Sequence, residues 1–397
     1  MRNVAAPRVL VVPEAYPPSP TGIAMSADRI VTHLRRSGVD VWVVDFDCRG
    51  EFTSPPSVTI DPSRDHTILV TPFFDNQGAV RIPERVKATT RREAALQLAN
   101  VARPLDIGLV HSLSVFNAGF VATFVASALG TPHVVGVRGF GRHPFDGLRA
   151  ECVRWVLERA AAVVISNRSL LELLSVAHPA EAAGAIVIPD AIFALPYPGL
   201  DPTARAAIRA QAGAGPETVL ITLAANLREK KLLALVLRAL ASVPDPTTAR
   251  LLVLGRVQPG IQEQFESDKR RLGLDTSVLM RESPPPGAIP DWLEASDIVV
   301  MPSVDYGTTN IVLEAMERAR CVVASDAFAD VIRHEQDGIL VNGLDPEALG
   351  SALASLATDS DNRHRLGSAA RARVLAERRP DREARAYVEL YERMVAA

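Results

Sequence analysis

Short, continuous runs of valine, isoleucine and leucine alternate with amphipathic helical segments from one end of this chain to the other. In the first half we predict strands at 9–12, 41–44, 68–70, 107–111, 133–137, 162–166 and 186–188. In the second half we predict strands at 219–224, 251–254, 278–280, 298–301, 321–324 and 339–341. Runs without in/out alternation are typical of strands buried on both faces of a parallel sheet. Strand–helix repetition of this kind predicts doubly wound α/β domains.

The chain length and one proline-rich stretch predict two domains. The 397 residues exceed one typical core and suit two domains of similar size. Residues 189–216 contain five prolines and three glycines and interrupt the strand–helix pattern. We predict Rossmann-like domains at 1–190 and 217–375, a linker at 191–216 and a helical C-terminal segment at 376–397. Two such halves leave a cleft between the C-terminal edges of their sheets, where open α/β sheets bind ligands.

The composition excludes several classes of protein. Hydrophobic residues make up 48% and charged residues 22%, which is typical of a globular chain. A net charge of −3 gives no general attraction to nucleic acid. The three cysteines show neither CxxC nor Cys/His spacing, which indicates reduced thiols rather than disulfides or a zinc site. Since no apolar stretch is long enough for a signal segment or a membrane span, we expect a cytoplasmic protein.

The segment 301–325 carries the most informative motif. The predicted strand 298–301 is followed by a polar loop, and a helix is predicted from near Asn310. Glu314 then lies about one turn inside the helix, where a carboxylate can accept from both hydroxyls of a ribose. A helix start favours anions because its backbone N–H groups are unpaired, and here these belong to Thr309, Asn310 and Ile311. An ordinary loop and a surface glutamate form the alternative interpretation.

A group of cations follows the first predicted strand of the second domain. Only four of the 43 basic residues are lysines, and Lys230 and Lys231 stand side by side close to Arg228. Arginine can donate two parallel hydrogen bonds to phosphate oxygens, and lysine supplies a compact, mobile cation. The alternative is a solvated first turn of a helix, but positive charge is unfavourable there without an anion. The pattern therefore favours a diphosphate site.

Three further positions are candidates in the first domain. The segment YPPSPTGI at 16–23 ends in a glycine, Gly22, which allows close approach of the backbone to a phosphate or a sugar, although a turn is an equal alternative. His111 ends a predicted strand, and His143 lies on the long loop after 138. Both histidines are candidates for contact with a second substrate, and a structural histidine is the commoner case at a strand end.

Taken together, these segments resemble the retaining glycosyltransferases of family 4, which have the GT-B fold. The opening YPP-x3-G resembles the family's YPP…GG loop, and IVIPDAI resembles its IPNGV junction. NLREKK resembles NLRPVKG, and SDIVVMPS…GTTNIVLEAM resembles ADIVVLPS…EGTPNVLLEAMA. HEQDGILVNGLDPEALGSAL resembles ENGLLVPPGDPEALAEAL. The resemblance covers nearly the whole chain in the right order.

The resemblance implies transfer of a sugar, with retention, from a nucleoside-diphosphate sugar to a small-molecule, lipid or glycan acceptor. It implies no cofactor and no metal, an acceptor-binding first domain and a donor-binding second domain, with the last segment crossing back to the first. Glu314 would bind the donor ribose, and Arg228 with Lys231 or Lys230 would neutralise the diphosphate. Gly22 and the backbone of 309–311 would hold the diphosphate and the sugar.

The chain departs from the family pattern at several positions. Tyr306, just before Gly307, stands where the first glutamate of the Glu-x7-Glu pair is expected, so either the donor or the way it is held differs. We predict that Tyr306 and Gly307 bind the donor. Arg138, which we predict as a catalytic residue, stands where the family's TVHG often has histidine. Arginine binds a carboxylate or phosphate but cannot act as a base. An inactive nucleotide-sugar-binding or partner subunit is therefore an alternative function. The retained Glu314, Arg228 and Lys231 argue against it, and the motifs of epimerases or hydrolases with this fold are not found.

A basic stretch at 81–92 makes an anionic membrane surface a candidate partner. Some relatives dock on anionic membranes through a basic amphipathic helix in this domain. A solvated helix face is the usual explanation for such a run and remains the alternative. The basic residues concerned are Arg81, Arg85, Lys87, Arg91 and Arg92.

Overall fold

The chain folds into two compact units, each an α/β arrangement around one sheet. Unit 1 comprises Met1–Asp190 and Pro380–Ala397, and unit 2 comprises Ala191–Arg379. The computed structural model describes residues 7–19, 21–47, 56–71, 84–139, 147–193, 199–225, 230–243, 248–255, 259–282, 284–303, 310–342 and 345–396. Both sheets are predominantly parallel and covered by helices, so the predicted pair of doubly wound α/β domains is confirmed.

Unit 1 is built on an eight-stranded sheet. Its strands are β1 (Val9–Val12), β2 (Val41–Phe46), β3 (Ser57–Ile60), β4 (Thr67–Thr71), β5 (Leu109–Ser112), β6 (His133–Val137), β7 (Ala162–Ile165) and β8 (Ile186–Val187). They are ordered β3-β4-β2-β1-β5-β6-β7-β8, and all neighbours are parallel except β3 and β4. The sequence pattern does not predict β3, because this edge strand is mostly exposed and has no apolar run.

In the part of the chain that the structure describes, six α-helices lie between these strands in sequence. They are α1 (Gly22–Arg36), α2 (Glu84–Ala102), α3 (Asn117–Leu129), α4 (Gly147–Leu157), α5 (Arg168–Ala177) and α6 (Pro179–Ala183). Helix α3 is apolar around most of its circumference, which is typical of a buried helix and hides the helical period in the sequence. It packs against α2 and β5, and the three share one hydrophobic cluster.

Unit 2 has a six-stranded sheet in which every neighbouring pair is parallel. Its strands are β9 (Val219–Ala224), β10 (Ala249–Leu254), β11 (Val278–Arg281), β12 (Ile298–Met301), β13 (Cys321–Ser325) and β14 (Ile339–Val341). Its helices are α7 (Pro202–Gln211), α8 (Lys230–Ala241), α9 (Pro259–Arg271), α10 (Ile289–Ala295), α11 (Asn310–Glu317), α12 (Pro346–Thr358) and α13 (Ser360–Glu377). The order β11-β10-β9-β12-β13-β14 is that of a dinucleotide-binding Rossmann sheet.

The stretch 191–216, expected as a linker, contains helix α7. Asp201 caps this helix by accepting from the backbone N–H groups of Thr203 and Ala204. Arg209 is 5% exposed and donates to the Asp297 carboxylate at 2.8 Å. Helix α7 also packs on α10. These contacts dock much of the proline-rich stretch on unit 2.

The last helix, α14 (Pro380–Ala396), belongs to unit 1. It packs along α1 and places Tyr387, Leu390 and Tyr391 in the interior. These side chains share a cluster with residues of β1, β2 and β5. The end of the chain thus completes the core of the unit in which the chain begins.

Gly367 in α13 lies directly against the backbone of a neighbouring turn in unit 2. A Cβ added there would lie 2.1 Å from the carbonyl oxygen of Ala319, in the turn before β13. We expect Gly367→Ala to lower the free energy of unfolding by about 1–3 kcal/mol because the helix must shift away from this backbone atom. Urea unfolding measures the change, and Ser368→Ala on the exposed face of α13 is the control. A gain in stability, usual for glycine to alanine inside a helix, would contradict the close approach.

Candidate functional site

The strand order of unit 2 reverses between β9 and β12, and we call this pair of strand ends the donor switch point. The two strands are adjacent, with Ile298 paired to Ile221 and Val299 to Thr222. Strand β9 leads through residues 225–229 into α8, and β12 leads through 302–309 into α11. Ligands of open α/β sheets bind at such a reversal. The fold therefore brings the segment of Arg228 and the segment of Glu314 to neighbouring strand ends.

Glu314 lies in the second turn of α11, as the sequence predicts. Val312, Leu313 and Met316 are completely buried, so the apolar side of the helix packs into unit 2. The Glu314 side chain is partly buried, and its Oε2 atom is shielded from solvent. Its backbone carbonyl accepts from Arg318 Nη1 at 2.9 Å. This placement differs from that of a solvated surface glutamate, the alternative interpretation of the motif.

The beginning of the segment that leads to α11 is held by a serine that sequence reasoning missed. Ser325, at the end of β13, is fully buried. Its hydroxyl donates to the carbonyl of Ser303 at 2.6 Å and accepts from the Ser303 N–H at 3.2 Å. These bonds fix where the chain leaves β12. A serine that ends a buried strand is the available sequence signal, and by itself it is a weak one.

Several predicted residues lie outside the described part of the chain. These are Arg228, Tyr306, Gly307, Thr309 and His143. Lys230 and Lys231 open α8, but their side chains are not described. Asn310 and Ile311 form the first positions of α11, where backbone N–H groups favour an anion. The roles assigned to all these residues stay predictions.

Unit 1 has a corresponding reversal between β1 and β5. Strand β1 leads through 13–21 into α1, which begins at Gly22 and is capped by Thr21 Oγ1 accepting from Ala24 N at 3.2 Å. The Glu14 carboxylate accepts from the Ala118 N–H and from Asn117 Nδ2, both at 3.0 Å. Glu14 therefore caps α3 with a negative charge, and Gly22 stands at the start of the neighbouring helix.

Arg64, which the sequence does not single out, fixes the loop between β1 and α1. Its Nη1 donates to the Pro17 carbonyl at 2.8 Å and lies 2.8 Å from the Asp45 carboxylate at the end of β2. Its Nε lies 2.7 Å from Asp61. One guanidinium thus ties the loop that precedes Gly22 to two other parts of unit 1.

His111 is buried inside unit 1 rather than placed at a surface. Its exposed fraction is 0%, and Nδ1 lies 2.6 Å from the Tyr391 hydroxyl of α14. Burial, assisted by the neighbouring His133 and by the positive charge of Arg138, lowers the pKa of His111 to about 3. The structure therefore gives His111 a hydrogen bond in the core, and this placement does not support the expected contact with an acceptor.

A second buried histidine stands beside it on β6. His133 Nε2 lies 2.9 Å from the Ser112 hydroxyl, and Nδ1 lies 3.4 Å from Thr123 Oγ1. Because Thr123 donates its proton to the Gly119 carbonyl, His133 Nδ1 donates to Thr123 and Nε2 accepts from Ser112. Burial lowers the pKa of His133 to about 4, so it is neutral.

Arg138 follows β6 and pairs with an acidic residue of its own unit. Its guanidinium donates to the Asp190 carboxylate, and its side chain is 19% exposed. Asp190 and the nearby Arg29 and Glu383 are buried. The charge of Arg138 is thus engaged in unit 1, whereas Glu314 belongs to unit 2.

The structure describes only part of the basic stretch at 81–92. In α2, Arg91 is buried and Arg92 is exposed, while the side chains at 81, 85 and 87 are not described. Contact with a membrane surface stays a prediction.

Among the described residues, no group of three or more His, Cys, Asp or Glu side chains is arranged to hold a metal ion. In the same part of the chain, no helix combines the length and the apolar character needed to cross a bilayer.

Comparison with known proteins gives two family models and a set of relatives. Residues 21–191 match the glycosyl transferase 4-like domain, and residues 218–359 match glycosyl transferases group 1. A D-inositol 3-phosphate glycosyltransferase of Xylanimonas cellulosilytica is 30% identical over 55% of this chain and 53% of its own length. One of Streptomyces scabiei is 27% identical over 80% of this chain and 75% of its own length. The chain thus spans about half the length of the first of these relatives.

Solved structures share the fold at low identity. Sucrose-phosphate synthase from Thermosynechococcus elongatus has a TM-score of 0.78 at 17% identity and covers 98% of this chain and 99% of its own. HepE from Anabaena in complex with UDP and glucose has a TM-score of 0.75 at 16% identity, over 97% and 99%. Two doubly wound domains of this kind define a GT-B protein. The chain belongs to the glycosyl transferases group 1 family, with a glycosyl transferase 4-like N-terminal domain.

The two buried histidines predict a loss of stability in acid. Their folded-state pKa values, about 3 and about 4, lie below the value near 6.5 of a histidine in an unfolded chain. Between these limits the unfolded chain binds more protons, so stability falls as the pH decreases below about 6.5 and is fully present above it. Each histidine contributes a slope of about 1.4 kcal/mol per pH unit in this window.

Urea unfolding at pH 5 and pH 7 checks this pH dependence. His111→Gln keeps a hydrogen-bond partner for Tyr391 but cannot be protonated. We therefore expect the free energy of unfolding of this variant to depend less on pH, with a slope smaller by up to about 1.4 kcal/mol per pH unit. The same substitution at the exposed His364 is the control and should retain the wild-type slope. An equal slope in wild type and His111→Gln would show that His111 is not held neutral by burial.

Proposed function

We propose that this chain transfers a sugar from a nucleoside-diphosphate sugar to a hydroxyl of a small-molecule, lipid or glycan acceptor, with retention. The observation that carries the proposal is the donor switch point, where the Arg228 and Glu314 segments follow adjacent parallel strands. Membership of the glycosyl transferases group 1 family supports the same activity. No observation favours an inactive binding or partner subunit.

In this proposal Glu314 holds the ribose of the donor. The carboxylate accepts hydrogen bonds from the 2′- and 3′-hydroxyls. Its partial burial strengthens these bonds, because charge-assisted bonds gain where water is excluded. The rigid packing of α11 fixes its position.

The diphosphate is held by the cations after β9 and the first turn of α11. Arg228, Lys231 or Lys230 neutralise the charge that develops on the leaving nucleoside diphosphate as the bond to the sugar breaks. The backbone N–H groups of Asn310 and Ile311 donate to phosphate oxygens at the positive end of the helix dipole. In this arrangement the protein's own cations, rather than a metal ion, neutralise the leaving diphosphate.

In this proposal unit 1 binds the acceptor, and the backbone of the loop that ends at Gly22 contacts the diphosphate and the sugar. Arg64 holds this loop to β2, which fixes its backbone before a substrate arrives. HepE, solved with UDP-glucose, suggests UDP-glucose as the first donor to test. The names of the curated relatives suggest a phosphorylated inositol as the first acceptor to test.

Replacement of Glu314 tests the ribose contact. We expect Glu314→Ala to raise the Kd of the preferred nucleotide sugar about 10- to 100-fold, because bonds to a charged acceptor contribute about 1.5–3 kcal/mol. A panel of nucleotide sugars read by thermal shift finds the donor, and isothermal titration calorimetry gives the Kd. Glu347→Ala removes another acidic residue near the start of a helix, α12, and should bind as the wild type does. Unchanged affinity in Glu314→Ala would place the nucleotide elsewhere.

Replacement of the cations tests the diphosphate contact. We expect Arg228→Ala and Lys231→Ala each to lower kcat about 10²- to 10³-fold, because they stabilise charge that grows in the transition state. The melting temperature should stay close to that of the wild type. Arg270→Ala, in the exposed last turn of α9, serves as the matched charge control. If turnover survives in both cation variants, the phosphate site does not lie after β9.

A further inference from the structure

Three buried charges and one partly buried charge form a connected network inside unit 1, which we call the crossing network. Arg29 of α1 donates to both carboxylate oxygens of Glu383, Nε at 3.2 Å and Nη2 at 3.1 Å. Arg29 Nη2 also lies 3.8 Å from Asp190, and Arg138 donates to the same Asp190 carboxylate. Two arginines thus face two carboxylates, and the charges balance. Charges this deeply buried persist only as long as each keeps its partners.

The aromatic and imidazole groups around the network leave this balance intact. Burial raises the pKa of Tyr387 and of Tyr391, so both phenols stay protonated. Burial likewise lowers the pKa of His111, which stays neutral. Among the described residues, the ion pairs of the network therefore join two arginines to two carboxylates.

The network is placed where the chain crosses between the two units. Asp190 is the last residue of the first segment of unit 1, and Glu383 follows Pro380, where the chain returns. Arg29 binds both, so it joins the outgoing and the returning chain on unit 1. Within unit 2, Ile192 N donates to the Arg378 carbonyl at 2.9 Å and joins the same two stretches again. The outgoing and returning stretches are thus joined in unit 1 by Arg29 and in unit 2 by the hydrogen bond between Ile192 and Arg378.

Two departures from the family motifs meet in this network. Arg138 stands where TVHG has histidine, and Asp190 stands where IPNGV has asparagine. The two residues are 52 positions apart and in direct contact, and their charges are opposite. Arg138 and Asp190 therefore form an ion pair of zero net charge at these two motif positions. Replacing one of them alone removes one charge of this pair.

We propose that Arg138 and Asp190 are coupled positioning residues that lock both chain crossings onto unit 1 through Arg29 and Glu383. Arg138 then acts by holding the connection between the units, not by touching a substrate. The consequence for turnover rests on the proposed glycosyl transfer, which needs the two domains brought to one geometry. The locking itself is independent of that function and is tested separately.

A double-mutant cycle tests the coupling. The variants are Arg138→His, Asp190→Asn and the double variant that restores the family's residues, with the exposed Arg159→His as the matched control. Hydrogen–deuterium exchange of the peptides 186–193 and 376–386 reports the crossings. We expect each single variant to exchange about tenfold faster in both peptides and the double variant to return to within about threefold of the wild type, since residues in contact are strongly non-additive.

Kinetics and donor binding distinguish a positioning role from contact with a substrate. We expect each single variant to lower kcat about tenfold, with the donor Kd within about twofold of the wild type and with recovery of kcat in the double variant. Arg138→Lys keeps the charge and should stay close to the wild type in both measurements. This variant also keeps the test decisive if a single variant fails to fold.

Three results would overturn the proposal. Additive effects in the exchange cycle would show that Arg138 and Asp190 are not coupled. Fast exchange in Arg138→Lys would show that the positive charge at this position does not hold the crossings. A raised acceptor KM in Arg138→His with unchanged exchange at both crossings would make Arg138 a substrate contact instead. If the wild type transfers no sugar from any donor, the proposed function fails, but the exchange cycle still decides whether the crossings are locked.

Discussion

Parallel pairing is the constraint on which the rest of this structure depends. Parallel neighbours need a crossover between them, so all parallel strands of a sheet end at the same edge. In unit 2 this places the segments after β9 and β12, which are far apart in sequence, at adjacent strand ends. Every proposed donor contact of this unit follows from that arrangement. In unit 1 the same constraint sets Gly22 and Glu14 at the reversal between β1 and β5.

Buried charge organises unit 1 in a way that its apolar clusters do not. Apolar packing sets no partner for a side chain, whereas a buried carboxylate must meet a cation or a donor. The crossing network meets this requirement with residues from α1, the end of β6, the stretch after β8 and α14. It therefore specifies where the chain leaves unit 1 and where α14 returns. Arg64 acts in the same manner on the loop before Gly22.

Much of the fold was predictable because buried parallel strands have a strong local signature. The predicted strands are all present, with bounds that shift by one or two residues. The elements that were missed lack that signature. β3 is mostly exposed, and α7 lies in a proline-rich stretch whose helix depends on docking by Arg209. At the site, the motifs around Glu314 were visible, but the role of Ser325 depends on a contact 22 positions away.

The sequence by itself determined the fold class, the family and the residue types that a donor site requires, because these are written in local runs and motifs. Only the tertiary structure decided which charges neutralise one another and which polar groups are inside. His111 becomes a core residue because Tyr391 reaches it from 280 positions away. Arg138 becomes the partner of Asp190 because β6 and β8, the strands that precede these two residues, end at the same edge of one sheet. Contacts of this range depend on how strands are ordered, and no local pattern records that order.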